Sequence, residues 1–553
     1  MKMNGAACMV KSLEMEGVEV LFGYPGGANL LLYDALIKSE IRQILVRNEQ
    51  GAAHAASGYS RVTGKTGVCM ATSGPGATNL ITGVATAYMD SIPMVAITGQ
   101  VSTDLIGRDV FQEVDITGAT EPFTKNNYLI KDIRDLPRIF REAFHIASTG
   151  RPGPVLIDIP KDVQTDVLDF AYPDQVHLIG YNPTLLGHPG QIKRAVKAMT
   201  ESERPMIIVG GGTINANATE ELVAFAERMQ APVATTLMGI GAFPASHPLS
   251  LGMLGGDHGV YAAKQAVAEA DFLVVMGSRM ADRSTGKRED FARSARTVVH
   301  IDVDPAEIGK NIEIDIPIVG DIKNTLQVLL NKNFERSNPD WIRKISDWKQ
   351  VIHGTGAGDG SEGLDPMHII HSLSAKALKD SIVVTDVGQH QIWTGRYYGF
   401  EQPRTFLTSG GLGTMGYGLP AAIGAKIGSP DKQVILVTGD GSFQMNLTEL
   451  ATAAQEGLAV KIILLNNNRL GMVRELQEHF CAGRYTQTSL NGNPDFGIIA
   501  KAYGFPSIRI TTIDELSAGI DELLSHQGTM LAEFMIDPAA NVIPVDKNVR
   551  EEK

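Results

Sequence analysis

Residues 439–468 read GDGSFQMNLTELATAAQEGLAVKIILLNNN. Asp440 stands between two glycines ahead of a helical pattern, and the chain returns through the apolar run VKIILL to three consecutive asparagines. Open parallel sheets place ligands at strand carboxyl ends, where a Gly-Asp-Gly turn lets the backbone approach a phosphate while the carboxylate faces a cation. Magnesium takes oxygen ligands in octahedral geometry, usually one or two protein groups plus substrate phosphates. Asp440 and an asparagine of the 466–468 cluster meet that demand if both turns lie at one sheet edge. The 27 positions from Asp440 to Asn467 accommodate one helix and one strand, which would bring them there. GDG and NN are also common turn dipeptides, so two unrelated turns are the competing reading.

Outward from this stretch, apolar β-rich runs alternate with helical patterns, the signature of parallel α/β sheets. GVCMATSG, PMVAITGQ and PVLIDIP are strands of a first block that breaks off near residue 168. The Pro, Gly and Asn-rich AYPDQVHLIGYNPTLLGHPG (171–190) reads as a linker. PMIIVGGG, DFLVVMGSR and VVHIDVD belong to a second block ending near residue 335, and HGTGAGDGSEGLDP (353–366) is a second linker. SIVVTDVG, KQVILVTGDG and VKIILLNNN form a third. The expected architecture is three doubly wound parallel-sheet α/β domains, over 1–170, 190–335 and 366–540. TSGPGATNLITGVATAYM (72–89) and TSGGLGTMGYGLPAAIGAKIG (408–428) echo each other, which leaves internal duplication and ordinary small-residue helix packing both open.

Bulk properties exclude several classes. The 553 residues are 43% hydrophobic, and no apolar run is long enough to span a bilayer. The N-terminus MKMNGAACMVKSLEMEG lacks a signal-peptide core, so a cytoplasmic protein is expected. A net charge of −13 opposes nucleic-acid or anionic-membrane partners. Cys8, Cys69 and Cys481 lie far apart without metal or disulfide spacing and read as small apolar residues.

The GDG…NN stretch resembles the thiamine-diphosphate motif. With it, YPGGA (24–28), RNEQGAAHAASGYSR (47–61), TSGPGATN, FQE (111–113), GRPGPVLIDIPKDV (150–163), DVGQHQIW (386–393) and GLGTMGYGLPAA (411–422) resemble acetohydroxyacid synthase catalytic subunits over nearly the whole chain. The resemblance implies an N-terminal pyrimidine-binding domain, a central FAD-binding domain and a C-terminal diphosphate-binding domain, the outer two sharing a fold. It also implies thiamine diphosphate, Mg2+ and FAD as cofactors, 2-keto acids as substrates, and a homodimer or homotetramer with a small regulatory subunit as a further partner.

The same resemblance assigns residues. Glu49 corresponds to the glutamate that hydrogen-bonds the cofactor pyrimidine, with Gln112 and Lys161 as catalytic companions near the substrate. Asp440, Asn467 and Arg469 match the metal positions. Pro25, Gly26, Gly388, Gln389, His390, Gly413, Met415, Gly439, Gly441, Ser442, Gly471 and Met472 match thiamine diphosphate contacts, Met415 as the buttress that keeps the cofactor bent. Arg151, Gly210, Gly211, Thr236, Leu237, Gly277, Arg279, Asp302 and Asp321 match the FAD site, although VGGG lacks the full G-x-G-x-x-G spacing. Phe111, Arg283 and Leu476 match substrate positions, the guanidinium suiting a second keto acid's carboxylate. For each, an ordinary structural role is the alternative: a surface charge for Glu49, Lys161 and Arg283, core filling for Met415, a buried helix face for Leu476.

Two departures bear on the acceptor. MLGGDHG (253–259) stands where the family commonly reads MLGMHG, and MVRELQ (472–477) where it commonly reads MVRQWQ, so Leu476 replaces a tryptophan. The implied activity is condensation of decarboxylated pyruvate with a second 2-keto acid to give acetolactate. A related decarboxylase, a carboligase with another acceptor, a flavin-dependent pyruvate oxidase and a non-catalytic binding protein are the alternatives.

Overall fold

The computed structural model of the chain describes residues 2–332, 334, 336–351 and 363–542, so most of the second linker (352–362) lies outside the described residues. Three six-stranded sheets carry the fold, and every strand pairing within them is parallel. Their central strands, such as Met94–Gln100, Phe272–Met276 and Val460–Asn466, are buried along their whole length. Helices on both faces leave no wet side, so these strands read as continuous apolar runs rather than alternating ones. The nine runs named from sequence all contain strands of these sheets.

Strand order separates the central sheet from the outer two. Numbered by position in the chain, its strands stand in the order 3-2-1-4-5-6, that of dinucleotide-binding folds, with the reversal between Pro205–Val209 and Phe272–Met276. The N-terminal and C-terminal sheets share a different order, 2-1-3-4-6-5. The outer domains are therefore topological repeats. The sequence echo points to this by the wrong route: TSG at 72–74 follows the third strand of its sheet, Gly67–Ala71, whereas TSG at 408–410 follows the second strand of the other, Phe406–Leu407. The equivalent helices, each after a second strand, are Glu49–Thr63 and Gly418–Gly428.

Those two helices pack against each other and join the outer domains. Ala and Gly dominate the crossing. A Cβ on Gly58 would stand 2.8 Å from the Ala421 carbonyl carbon, and one on Gly424 would stand 2.6 Å from that of Ala55, so the backbones touch directly and reciprocally. Around the crossing, Arg61 bonds the buried Asp90 at 2.5 Å, Asp90 accepts from the Gly411 amide at 2.7 Å, and Thr86 bonds Thr414 at 2.7 Å.

Sequence reasoning missed two further features. Lys2–Asn4 pairs antiparallel with Val167–Asp169, tying the start of the first domain to its end. The segment after Asp440 is not one helix but a four-residue turn of helix, Asp440–Phe443, a 3-10 turn at Leu447–Glu449 and a short helix, Leu450–Gln455. Cys8 and Cys69 are buried, and burial pushes each thiol up to about 12. No described helix is long and apolar enough to cross a membrane.

Candidate active site

The two ends of the 439–468 stretch meet. Strands Val434–Gly439 and Val460–Asn466 are neighbours with Gly439 opposite Leu465, so Asp440 and Asn467 leave the sheet side by side. Burial pushes the Asp440 carboxyl up to about 6, and the Asn493 side chain and the Asn467 and Gly441 main chain oppose that rise. The three asparagines differ in role. Asn466 donates to Glu533 at 2.7 Å within the sheet, and Asn468, at φ 54°, accepts from Asn493 at 3.1 Å. Asn467 alone of the three lines the cavity in front of Asp440. Asn493, which no motif marked, also donates to Asp440 at 2.7 Å.

That cavity, of about 1320 Å³, runs between the C-terminal and central domains and is closed on one side by first-domain residues, among them Ser91, Thr149 and Arg151. Gly388, Gln389, His390, Gly413, Met415, Gly439, Gly441, Ser442, Arg469, Gly471 and Met472 line it with Asp440 and Asn467. Several surfaces suit a bound diphosphate. His390 is buried and held neutral, pushed down to about 3 by desolvation, and its Nε2 has no partner among the described residues. The Gln389–Tyr397 helix presents its N-terminal amides where Gly388, at φ 155°, turns into it. The Gln389 side chain is engaged through its amide nitrogen, which donates to Glu475 at 2.9 Å and to the Ala540 carbonyl at 3.0 Å. Its Oε1 has no partner among the described residues and faces Gly471, so that oxygen and the Gln389 main chain are left for a ligand. A Cβ on Gly471 would stand 2.8 Å from Asn467 Nδ2 and collide with the Gln389 side chain, so any larger residue there would displace one or both of these side chains.

The metal donors fit an ion completed by a ligand. Among the described residues no cluster of three or more His, Cys, Asp or Glu side chains could hold a metal alone. One carboxylate and one amide at the wall of this cavity are the incomplete set that Mg2+ accepts when phosphate oxygens supply the rest. Arg469 can contribute only its carbonyl oxygen, because a guanidinium has no acceptor. Behind Met415, the buried Asp386 accepts from the amides of Gly416 and Gly418 at 2.8 and 3.2 Å and fixes the loop that presents the methionine.

The central-domain half of the cavity lies at the strand-order reversal. Gly210 and Gly277 follow the two strands flanking it, and a Cβ on Gly277 would stand 2.7 Å from Gly212 Cα. Arg151, Gly211, Thr236, Leu237, Arg279, Asp302, Asp321 and Arg283 complete this wall. Arg151 pairs with Glu307 at 2.6 Å, while burial and the Arg151 charge lower the pKa of Arg279. Two guanidiniums beside glycine-lined strand ends suit a dinucleotide pyrophosphate, so the wall fits FAD. The MLGGDHG loop also borders the cavity, through Met253, Leu254, Gly255 and His258.

Of the predicted residues in the first domain, Arg151 alone reaches this cavity. Glu49, Gln112, Lys161, Pro25, Gly26 and Phe111 do not line this cavity. Glu49 opens its helix and accepts from Asn79 at 2.9 Å. A Cβ on Gly76 would stand 3.2 Å from Glu49 Oε1, one on Gly26 would press on Thr72 at 2.5 Å, and one on Gly74 would stand 3.0 Å from Gln112 Cα. Gln112 itself holds φ 60°, a strained backbone of the kind found at functional loops. Lys161 is exposed at the end of Pro154–Pro160, and Phe111 is 87% exposed. Leu476 lies one turn beyond Met472 and Val473, 37% exposed and outside the cavity wall. The chain thus holds two separate groups, one around Glu49 and one around Asp440.

Comparison with known proteins follows the same division. Residues 3–119 match the thiamine pyrophosphate enzyme N-terminal TPP binding domain, 192–329 its central domain and 386–534 its C-terminal TPP binding domain. The chain is 48% identical over 549 residues to a probable acetolactate synthase large subunit of Methanocaldococcus jannaschii, covering 97% of this chain and 92% of that one. It is 47% identical over 557 residues to the acetolactate synthase large subunit of Corynebacterium glutamicum, with 98% and 88% covered. Against the Haemophilus influenzae large subunit it is 45% identical over 555 residues, with 98% and 96% covered.

Proposed function

The chain belongs to the acetolactate synthase large-subunit family of thiamine pyrophosphate enzymes, and on that premise we propose how its residues divide the work. The reaction takes two pyruvates and a proton to acetolactate and carbon dioxide, with no net electron transfer. Thiamine diphosphate, when bound, supplies the carbon nucleophile that adds to a keto group and accepts the electrons left by carbon dioxide.

The Asp440 side is the anchor. Asp440, Asn467 and the Arg469 carbonyl hold Mg2+, while the main chain of Gly388, Gln389, Gly441 and Ser442 and the His390 imidazole take the diphosphate. Gly413, Gly439, Gly471 and Met472 shape this wall, and Met415 would support a bound cofactor from the same side. The observation that carries the reading is the meeting of Asp440 and Asn467 at adjacent strand ends in a cavity that also presents the free His390 Nε2. The Glu49 side is the proton-handling half. Glu49 would hydrogen-bond the pyrimidine of a bound cofactor and supply a carboxylate for its proton handling, with Pro25 and Gly26 beside it and Gln112, Lys161 and Phe111 on the substrate side. Arg283 pairs with the carboxylate of the second keto acid. Arg151, Gly210, Gly211, Thr236, Leu237, Gly277, Arg279, Asp302 and Asp321 hold FAD in a structural role.

Two groups that must face one cofactor but lie apart in one chain favour a homodimer in which each site takes Glu49 from one chain and Asp440 from the other. Exposed apolar side chains near both groups, among them Phe111, Leu412 and Met445, agree with a covering partner. Relatives named as large subunits support a smaller regulatory partner and a larger assembly. Incubation with pyruvate, Mg2+, thiamine diphosphate and FAD tests the whole: acetoin released on acid treatment supports it, acetaldehyde alone indicates a decarboxylase, and flavin bleached at turnover rate indicates an oxidase.

A further inference from the structure

Between its two ends, the 439–468 stretch carries one buried acid that neither half-site uses. Glu449 is 0% exposed and sits in the 3-10 turn Leu447–Glu449. Its Oε1 accepts from the backbone amides of Arg47 at 2.9 Å and Asn48 at 3.0 Å, and its Oε2 accepts from Thr452 at 2.7 Å. Asn48 is the N-cap of the helix that Glu49 opens, its side chain accepting from the Gln50 amide at 2.9 Å. Gly51 leaves room on the other side, since a Cβ there would stand 2.5 Å from Glu449 Oε1. Neighbouring contacts reinforce the grip: Arg47 donates to Gln455 at 2.9 Å and Arg42 pairs with Glu456 at 2.7 Å.

A buried carboxylate is a costly way to join two domains, and an apolar side chain of equal volume would do so more cheaply. What the carboxylate supplies is direction: one oxygen accepting two successive amides fixes the peptide planes immediately before Glu49. We propose that Glu449 is a positioning residue for Glu49, so that one stretch of chain holds metal and diphosphate with its ends and sets the proton-handling carboxylate with its middle. This rests on the two-chain site proposed above, in which the Asp440 and the Glu49 of one chain serve different sites. The diphosphate domain of each site would thereby be clamped to the Glu49 of the other.

Glu449→Met removes the acceptor at nearly constant volume, whereas Glu449→Gln keeps an acceptor oxygen for the two amides. In cofactor-free protein, amide hydrogen exchange of residues 46–50 is expected to quicken about tenfold or more in the Met variant and to stay near wild type in the Gln variant. In loaded enzyme, kcat should fall about 10²-fold in the Met variant, the scale of a misplaced catalytic group, with thiamine diphosphate affinity by calorimetry little changed. Gly51→Ala disturbs the same contact without touching Glu449 while favouring the helix, and should show the same exchange and kcat split. A Gln variant as impaired as Met, unaltered exchange in Met, or a wild-type Gly51→Ala enzyme would each overturn the proposal.

Mixed dimers place the effect. A chain with Glu49→Gln and Glu449→Met, paired with wild type, should keep about half activity, because its surviving site uses the wild-type Glu49. A chain with Asp440→Ala and Glu449→Met, paired with wild type, should keep only about half a per cent, its one surviving site carrying the about 10²-fold kcat loss, and the reverse ranking overturns the proposal. Pairing a Glu49→Gln chain with an Asp440→Ala chain is the control for the two-chain site. If that pairing restores nothing, the shared-site reading fails, and the exchange and kcat split still judge Glu449.

Discussion

Replacing Gly424 with alanine tests the joint between the outer domains. The new Cβ would stand 2.6 Å from the Ala55 carbonyl carbon and 2.9 Å from its Cα, both backbone atoms of the Glu49–Thr63 helix. Carbon atoms at rest sit about 3.5–4.0 Å apart, so the helices must separate by about 1 Å, and a gap of that size forfeits up to half of each affected contact's attraction. Overpacking of this kind costs about 1–3 kcal/mol, offset by up to about 1 kcal/mol because alanine favours the helix. The expected outcome is a melting temperature lower by about 2–8 °C, with weaker thiamine diphosphate binding because Gly411 and Thr414 are tied across the same joint. Gly58→Ala should behave alike, its Cβ standing 2.8 Å from the Ala421 carbonyl carbon. The two changes act on one helix pair, so the separation forced by the first makes room for the second. The double variant should therefore lose clearly less than the sum of the singles. Gly492, with nothing within 4 Å of its would-be Cβ, serves as the silent control. Calorimetry of the four proteins decides: wild-type melting in the singles, or strict additivity in the double, would refute direct backbone contact at this crossing.

Other outcomes follow from single residues. Glu49→Gln should lower kcat by about 10²-fold or more while thiamine diphosphate still binds, and unchanged turnover removes Glu49 from proton handling. Leu476 should leave little preference for 2-ketobutyrate over pyruvate as acceptor, and Leu476→Trp should raise it by about 1–3 kcal/mol in a two-acceptor competition; strong enrichment of the larger product in the unaltered enzyme refutes this. Asp158 is buried, accepting from Thr98 at 2.6 Å and Gln100 at 2.8 Å, and burial pushes its carboxyl up to about 7. The folded chain keeps a proton that the unfolded chain releases from about pH 4 upward, so this residue lowers stability as pH rises to about 7, by up to about 1.4 kcal/mol per unit. Asp158→Asn should flatten that slope, and identical melting profiles at pH 5 and 8 for the two proteins would defeat the assignment.

How much of this the sequence disclosed depends on how local each signal is. The strands were legible because a strand covered on both faces is an unbroken apolar run between turns, as in PMVAITGQ and VKIILLNNN. The meeting of Asp440 and Asn467 was legible because the two ends of one motif lie on adjacent strands. Asp386, Glu449 and Asn493 were not. Each is a polar residue whose value comes from amides or carboxylates that the fold delivers from elsewhere in the chain, and a lone acid in sequence carries no trace of its partners. VGGG looked weak as a dinucleotide signal for a similar reason: what sets its place apart is that the strand order reverses beside it, which is a property of the sheet and not of four residues.

The echo between the outer domains carries this furthest. Matching TSG to TSG joined the end of a third strand to the end of a second, yet the conclusion of a repeated domain stands on the shared order 2-1-3-4-6-5. Once the strands are matched by place in the sheet, the helix opened by Glu49 corresponds to the helix Gly418–Gly428 that follows the Met415 loop, and these two helices are the ones in contact. Small residues recur on both because each must let the other's backbone approach. Resemblance at 72–89 and 408–428 thus reflects a common packing demand on helices of the two sheets. What differs between the two domains is what the strand ends carry: Glu49 follows a second strand in one, and Asp440 follows a third strand in the other, so the proposed proton-handling and metal-binding roles fall at different places in one topology.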